Sequence, residues 1–425
     1  MYGGKIMNKK LTLKTSVFLW TDDNHGFLYD SSSHEFYKFL LSKSIAELCH
    51  NLLVPENLYS VFAGEYTGDI EVGKFIEEVL RRGFGILQDE DDFQYMVSFP
   101  PMLNLLHSWE RIKKKKESLN TTVLHYFTSL TVYTGGVCPD NGYCEQTIYP
   151  VCSVCILSAE NIIGFLSRVD SPYLSEINIV FSSIGDYPDI HRLFDWLGTR
   201  RKKITIYVRA EDAGNSDVVE EVIKNGFNAV LLHAGLVLTD SRIMKLSLRH
   251  VFLVTSDDNC KNAEDICKQD GITDFVCVPV FNGNNYEFFN DCVFLNEEEI
   301  LRTRLSRHEI FTHQVININY FGRLFLFPDG NVFAGPGKCP VGNIHDTVYS
   351  LIISEMDKNT AWRKTRDMLA RCKTCIYRYL CPSPSSYEEV MGIDCICTDK
   401  IKRKEVAMVP PESILSGIAI MHCRQ

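Results

Sequence analysis

A chain of 425 residues has room for two or three domains with a sizeable core, and 45% hydrophobic with 23% charged residues is an ordinary globular mixture. A formal charge of −10 argues against a nucleic-acid surface over the whole chain, and no apolar run approaches the ~18 residues a membrane helix needs. Sixteen cysteines behind a start that lacks a signal-peptide apolar stretch point to a reducing cytoplasm and to metal or thiol roles rather than disulfides.

Residues 11–100 read as a small α+β module. Ser16-Val-Phe-Leu-Trp20 and Gly26-Phe-Leu-Tyr29 read as strands around the Asp22-Asp-Asn24 turn. Ser33 to Leu41 has apolar residues at helical spacing, with Ser33 placed as the cap. Asp69 to Arg82 is a second amphipathic helix with Ile70, Phe75, Val79 and Leu80 on one side, and Gly83–Leu87 with Phe93–Val97 suits a hairpin. Glu110-Arg-Ile-Lys-Lys-Lys-Lys-Glu117 reads as a solvated connecting helix.

From Thr128 the pattern becomes strand–helix alternation. The strands are Thr128–Tyr133, Ile177–Phe181, Ile204–Val208, Phe227–Leu232, Val251–Val254 and Phe275–Pro279. Ser158, Pro188 and Ser216 open the first helices, and Asn296-Glu-Glu-Glu299 is a capping box before Ile300 and Leu305. Such repeats give parallel strands with right-handed crossovers, and about six are too few for a closed eight-stranded barrel. A partial barrel is the natural outcome. A doubly wound open sheet is the alternative, although no Gly-rich nucleotide loop follows the first strand.

The densest chemistry lies near the C-terminus. Cys372, Cys375, Cys381 and Cys397 follow the spacing C-x2-C-x5-C-x15-C, with Cys395 as rival for the last place. Four thiolates this close suit zinc or an iron–sulfur cluster. With Phe327-Pro-Asp-Gly-Asn-Val-Phe333 and Cys381-Pro-Ser-Pro-Ser-Ser-Tyr387, this segment resembles the SPASM domain of radical-SAM peptide maturases. The resemblance implies one 4Fe–4S cluster on Cys372, Cys375, Cys381 and Cys397, with zinc as the other occupant of the same thiolates. The family's second cluster needs cysteines where this chain has Ala334, Thr347 and Ser385, with only Cys339 nearby.

Radical-SAM enzymes carry C-x3-C-x2-C after the first strand. Here that stretch holds Cys138, Cys144, Cys152 and Cys155 at spacings x5, x7 and x2. The Gly-Gly-Glu-Pro element after the second strand is replaced by Ser182-Ser-Ile-Gly-Asp-Tyr-Pro188. These four cysteines read as a decayed loop that kept buried or reduced thiols; a variant cluster or zinc site is the other reading. Cys49, Cys260, Cys267, Cys277, Cys292 and Cys423 stand singly and read as small core hydrophobes.

The resemblance thus implies an α/β chain built as a partial (β/α)6 barrel of radical-SAM type, with an N-terminal α+β helix-wing module and a C-terminal SPASM domain. The expected segments are 1–103, 104–124 as a connecting helix, 125–312 as the degenerate barrel and 313–425. It resembles the pseudo-radical-SAM/SPASM proteins of Bacteroidales GG-leader peptide systems. That family implies a precursor peptide with a GG-type leader and a partner radical-SAM maturase as partners, with no SAM bound or cleaved. The N-terminal module resembles a leader-recognition element, a plain cap on the next domain being the alternative. A leader would add as a strand against the Asp69–Arg82 helix, with pockets near Phe75 and Val79, and Lys74, Arg81 and Arg82 favouring acidic residues. An active enzyme with a variant cluster and a zinc-stapled scaffold are the other function classes.

Overall fold

The computed structural model describes residues 9–66, 68–89, 109, 121–137, 142–214, 216–235, 248–337 and 339–398. The expected Phe93–Val97 strand, the Glu110–Glu117 helix, Cys138 and Cys423 lie outside the described residues. The chain divides into two compact units. The first takes Met1–Ser108, Glu297–Val315 and Thr365–Ser383; the second takes Trp109–Asn296, Ile316–Lys364 and Pro384–Gln425.

In the first unit, β1 (Lys9–Leu13) precedes an antiparallel meander of β2 (Val17–Thr21), β3 (His25–Asp30) and β4 (Phe36–Leu40). Helix Lys43–Leu53 follows, then β5 (Ser60–Phe62), helix Ile70–Arg81 and β6 (Gly85–Asp89). Strand β1 runs between β5 and β6 in a second antiparallel sheet. The expected Ser33–Leu41 helix is a correction: this stretch is the turn into β4 and β4 itself. His34 sits at φ 62, which breaks any helix, and Phe36, Tyr37, Lys38 and Phe39 then alternate between the two faces of the sheet. The helix begins after Ser42, whose hydroxyl accepts from the Ile45 N–H.

Asp69 caps the next helix through the Glu71 and Val72 N–H groups. Its buried face is Val72, Phe75, Ile76 and Val79, whereas Ile70 is 77% exposed rather than inward. The Phe39 ring packs tilted against Phe75, 4.6 Å between centroids, joining β4 to the core of this unit. Gly26, opposite Phe39, has a packing reason: a Cβ there would lie 2.2 Å from the Phe39 ring.

Among the described residues the second unit is built on a nine-stranded sheet. Strand β7 (Ser129–Tyr133) leads into a small ribbon of β8 (Gly135–Gly136) and β9 (Ser153–Ile156). Then come β10 (Glu176–Val180), β11 (Lys203–Arg209), β12 (Asn228–Ala234), β13 (Arg249–Val254) and β14 (Phe275–Pro279). Strands β7 and β10 to β14 are all parallel, and their order in the sheet follows the chain without reversal. A doubly wound sheet grows both ways from a switch point between its βαβ halves; the β7 to β14 run adds every strand on the same side, as a partial barrel does. Helices Ala159–Val169, Ile190–Gly198, Ser216–Lys224 and Asp257–Asp270 make crossovers. The strands read as continuous apolar runs because both faces are covered; every residue of β7 is buried.

On the other side of β7 lies β15 (Arg323–Leu326), parallel to it, followed by antiparallel β16 (Asn331–Phe333) and β17 (Gly342–Asn343). The Asp329-Gly330 turn joins β15 to β16: Gly330 adopts φ 82, and Asp329 accepts from the Asn331 N–H at 3.0 Å. Among the described residues no helix is long and apolar enough to cross a membrane.

Candidate functional site

Cys372, Cys375 and Cys381 ride on a run of tight turns that belongs to the first unit. The Cys372 N–H donates to the Leu369 carbonyl (3.0 Å), that of Cys375 to Cys372 (2.8 Å) and that of Cys381 to Tyr377 (3.1 Å). Cys372 is buried, Cys375 and Cys381 are half-buried, and none of the three is in a disulfide. Cys397 belongs to the second unit, where it bridges to Leu295 beside the buried Cys395. Three of the four expected ligands thus lie within one ten-residue stretch of the chain, and the fourth belongs to the other unit. Among the described residues no three His, Cys, Asp or Glu side chains stand grouped as metal ligands. Thiols are the donors that a thiolate-bound centre needs, but the described side chains are not drawn together as one.

The loop between the second and third thiols is braced by its tyrosines. Tyr377 donates to Glu297 at 2.7 Å, and Glu297 also takes Lys38 of β4 at 2.8 Å. The Tyr377 ring meets Phe27 of β3 edge-on at 5.1 Å. Tyr379 packs on Trp20 of β2 at 5.6 Å and donates to Asp367, which also pairs with Arg378 at 3.0 Å. Partial burial works against the Lys38 charge, but its bonds to Glu297 and Tyr377 outweigh it and hold its pKa above the ordinary value. The same bonds, Lys38 first, pull Glu297 below its ordinary value, while burial pushes the Tyr377 hydroxyl up to about 12. Sequence reading missed this brace because its partners lie 80 and 259 positions apart. The one local signal was a Tyr-Arg-Tyr run inside the x5 spacing.

Strand β4 forms one side of its sheet, and no described strand pairs with its outer edge. Asp30 N–H donates to the Glu35 carbonyl and Leu41 N–H to the Asn24 carbonyl, both at 2.9 Å. Such bonds recur at every second residue of an antiparallel pair. Tyr37 and Phe39 therefore face β3 with their backbone groups, and Phe36, Lys38 and Leu40 turn theirs outward. Arg82 occupies one of these, the Phe36 carbonyl, at 3.2 Å. Phe36 and Leu40 are 37% and 72% exposed. The expected pockets at Phe75 and Val79 are corrected: both side chains are buried in the core, and burial has filled the space around them. Arg81 and Arg82 both bond Glu78, whose single carboxylate offsets one of their two charges.

In the second unit, Cys144 is half-buried in a turn and Cys152 is exposed. Cys155, on β9, is disulfide-bonded, which corrects the expectation of a thiol there. Cys260, Cys267 and Cys277 do join one apolar cluster with Phe252 and Phe289, and burial raises Cys277 to about 12. Cys49 is buried in the first unit, but Cys292 is exposed and is not a core residue. The three positions where a second cluster would need thiols have structural work instead. Ala334 is fully buried, Thr347 caps helix Val348–Lys358, and Ser385 forms a capping box with Glu388 on helix Ser386–Met391.

No family model matches the chain, and no curated protein does. Among solved structures the chain is similar to SuiB of Streptococcus suis bound to precursor peptide SuiA, at 12% identity over 94% of this chain and 100% of that one, with a TM-score of 0.39. The same protein bound to S-adenosylmethionine gives 12% identity, the same coverage and a TM-score of 0.38. A third, anSMEcpe with bound AdoMet, gives 14% identity over 60% of this chain and 87% of that one, with a TM-score of 0.40.

Proposed function

We propose that this chain is a cytoplasmic radical-SAM-like protein of peptide maturation that binds a ribosomally made precursor peptide and does not cleave SAM itself. The observation that carries the reading is the outward backbone of Phe36, Lys38 and Leu40 on β4, flanked by exposed apolar side chains. An extended leader of GG type pairs with that edge as a further strand, and alternate side chains seat against Phe36 and Leu40. A partner radical-SAM maturase supplies the chemistry. Cys372, Cys375, Cys381 and Cys397 hold a 4Fe–4S cluster, or zinc, which when bound staples a turn-rich segment and, as a cluster, can relay an electron.

Leu40→Pro tests the edge. Its N–H points away from β3, so proline removes an outward donor and leaves the β3 ladder intact. Calorimetry with synthetic extended leader peptides of GG type should show binding to the parent and at least a tenfold loss in the variant, with melting little changed. Equal binding by a folded Leu40→Pro protein places recognition elsewhere.

A further inference from the structure

In parallel α/β folds a ligand lies at the carboxyl ends of the strands. In the second unit those ends are crossed by the chain's own segment Tyr143–Val151. Val230, Leu232 and Ala234 of β12 share one face of the sheet with Tyr207 of β11, Val251 and Leu253 of β13 and Val278 of β14. Helix Asp257–Asp270 covers the opposite face, where Ala263 and Cys267 pack with Phe252 and Val254. The first face is covered instead by Tyr149, which is 1% exposed and clusters with Val230, Leu232, Leu253 and Val280. Pro150 holds Tyr149 to extended backbone, and Tyr143 meets its ring edge-on at 5.4 Å.

The segment is fastened at both ends. Gln146 takes both backbone groups of Phe281, two residues beyond β14: its amide donates to the carbonyl at 2.8 Å and accepts from the N–H at 2.6 Å. The Ser386 hydroxyl holds the Gln146 carbonyl at 2.7 Å. At the other end the Ser182 hydroxyl, two residues beyond β10, donates to the Val151 carbonyl at 3.2 Å, and β9 begins two residues later. All of these residues belong to the second unit.

We infer that Tyr143–Val151 is a built-in stopper of the barrel mouth, with Tyr149 as the side chain that takes a ligand's place. This deepens the proposed function, since a mouth already filled gives the chain a steric reason, independent of its cysteines, to leave SAM chemistry to a partner. Tyr149 blocks by its ring, so the hydroxyl is dispensable and Tyr149→Phe keeps the mouth shut. Removing the ring leaves an apolar hollow that suits a free aromatic molecule.

A thiol placed under the stopper reads the closure. Leu232→Cys puts one in the Tyr149 cluster, and its reaction with iodoacetamide is followed by peptide mass spectrometry, which separates it from the native thiols. In the full chain that thiol should react slowly with Tyr149 or Tyr149→Phe above it, and at least about tenfold faster with Tyr149→Ala. Gln146→Ala, which unfastens the segment from Phe281 and keeps the ring, should fall between, and it carries the test if Tyr149→Ala does not fold. The compound p-cresol, the missing ring as a free molecule, should bind Tyr149→Ala and slow its reaction again, with no effect on the parent. Calorimetry of the parent with SAM should show no binding. Equal thiol reactivity with and without the ring overturns the stopper, because something else then closes the mouth. SAM binding by the parent overturns it too, and release of 5′-deoxyadenosine would sink the proposed function with it. A closed mouth in a chain that binds no leader peptide leaves the stopper standing and overturns the peptide reading alone.

Discussion

His233 and His250 give the second unit a pH dependence with a defined sign. They sit on neighbouring strands β12 and β13, stacked at 5.2 Å and hydrogen-bonded Nε2 to Nδ1 at 3.0 Å, with Phe252 4.2 Å from the His233 ring. Burial, and then the neighbouring His250, lowers His233 from 6.5 to about 3; burial also lowers His250, partly opposed by Asp274. The folded unit thus holds a neutral pair where the unfolded chain takes up protons. The stability from that difference is complete above pH ~6.5 and is lost as pH falls toward the folded value. Between pH 8 and pH 5 the His233 shift alone is worth about 2 kcal/mol, and about 3 kcal/mol by pH 4. Replacing both residues by Phe keeps the ring stack and removes the titration. Overpacking from the larger rings costs about 1–3 kcal/mol, but equally at both pH values. The measurement is therefore the difference between the pH 8 and pH 5 urea unfolding free energies, parent against His233→Phe/His250→Phe, with fluorescence following the second unit. The double variant should lose about 2 kcal/mol less on acidification. An identical loss in both proteins would show that the pair is protonated without penalty and that the assigned burial is wrong.

Two other substitutions test packing. Glu355, almost fully buried, accepts from the N–H groups of Thr360, Ala361 and Trp362 at 3.1, 3.0 and 2.8 Å. Glu355→Ala strands these donors and should cost about 3 kcal/mol by thermal or urea melting; a loss under about 0.5 kcal/mol would mean that water or relaxation satisfies them. Gly26→Ala drives a methyl into the Phe39 ring and should cost about 1–3 kcal/mol, recovered in part by Gly26→Ala with Phe39→Leu. Full stability of the single variant would mean that β4 has room to shift.

The barrel was legible because its signals are local. Each strand is a short β-branched run, and Ser158 announces its helix by a side-chain bond three residues away. The β4 error had a physical source. Phe36, Tyr37, Phe39 and Leu40 satisfy helical spacing as well as they satisfy alternation, and what decides is His34 at positive φ together with the fit of Phe39 over Gly26. Neither the dihedral nor the cross-strand partner is visible in a window of ten residues. The burial of Phe75 and Val79 escaped for the same reason. An amphipathic stripe shows which side of a helix is apolar, but not whether the protein or a ligand covers it.

The thiols show the same division. Their spacing was readable, and so was the absence of cysteine at Ala334, Thr347 and Ser385. The structure adds why those substitutions are stable: two are helix caps, each worth about 1 kcal/mol, so restoring a cysteine there would remove a cap as well as add a ligand. Spacing also could not show that Cys372, Cys375 and Cys381 fold with the N-terminal sheet. A brace that joins Tyr377 to Lys38 across most of the chain has no period and no motif. It follows only from the packing of two segments, and for that reason the contact between the thiol loop and β4 is a property of the fold rather than of either motif.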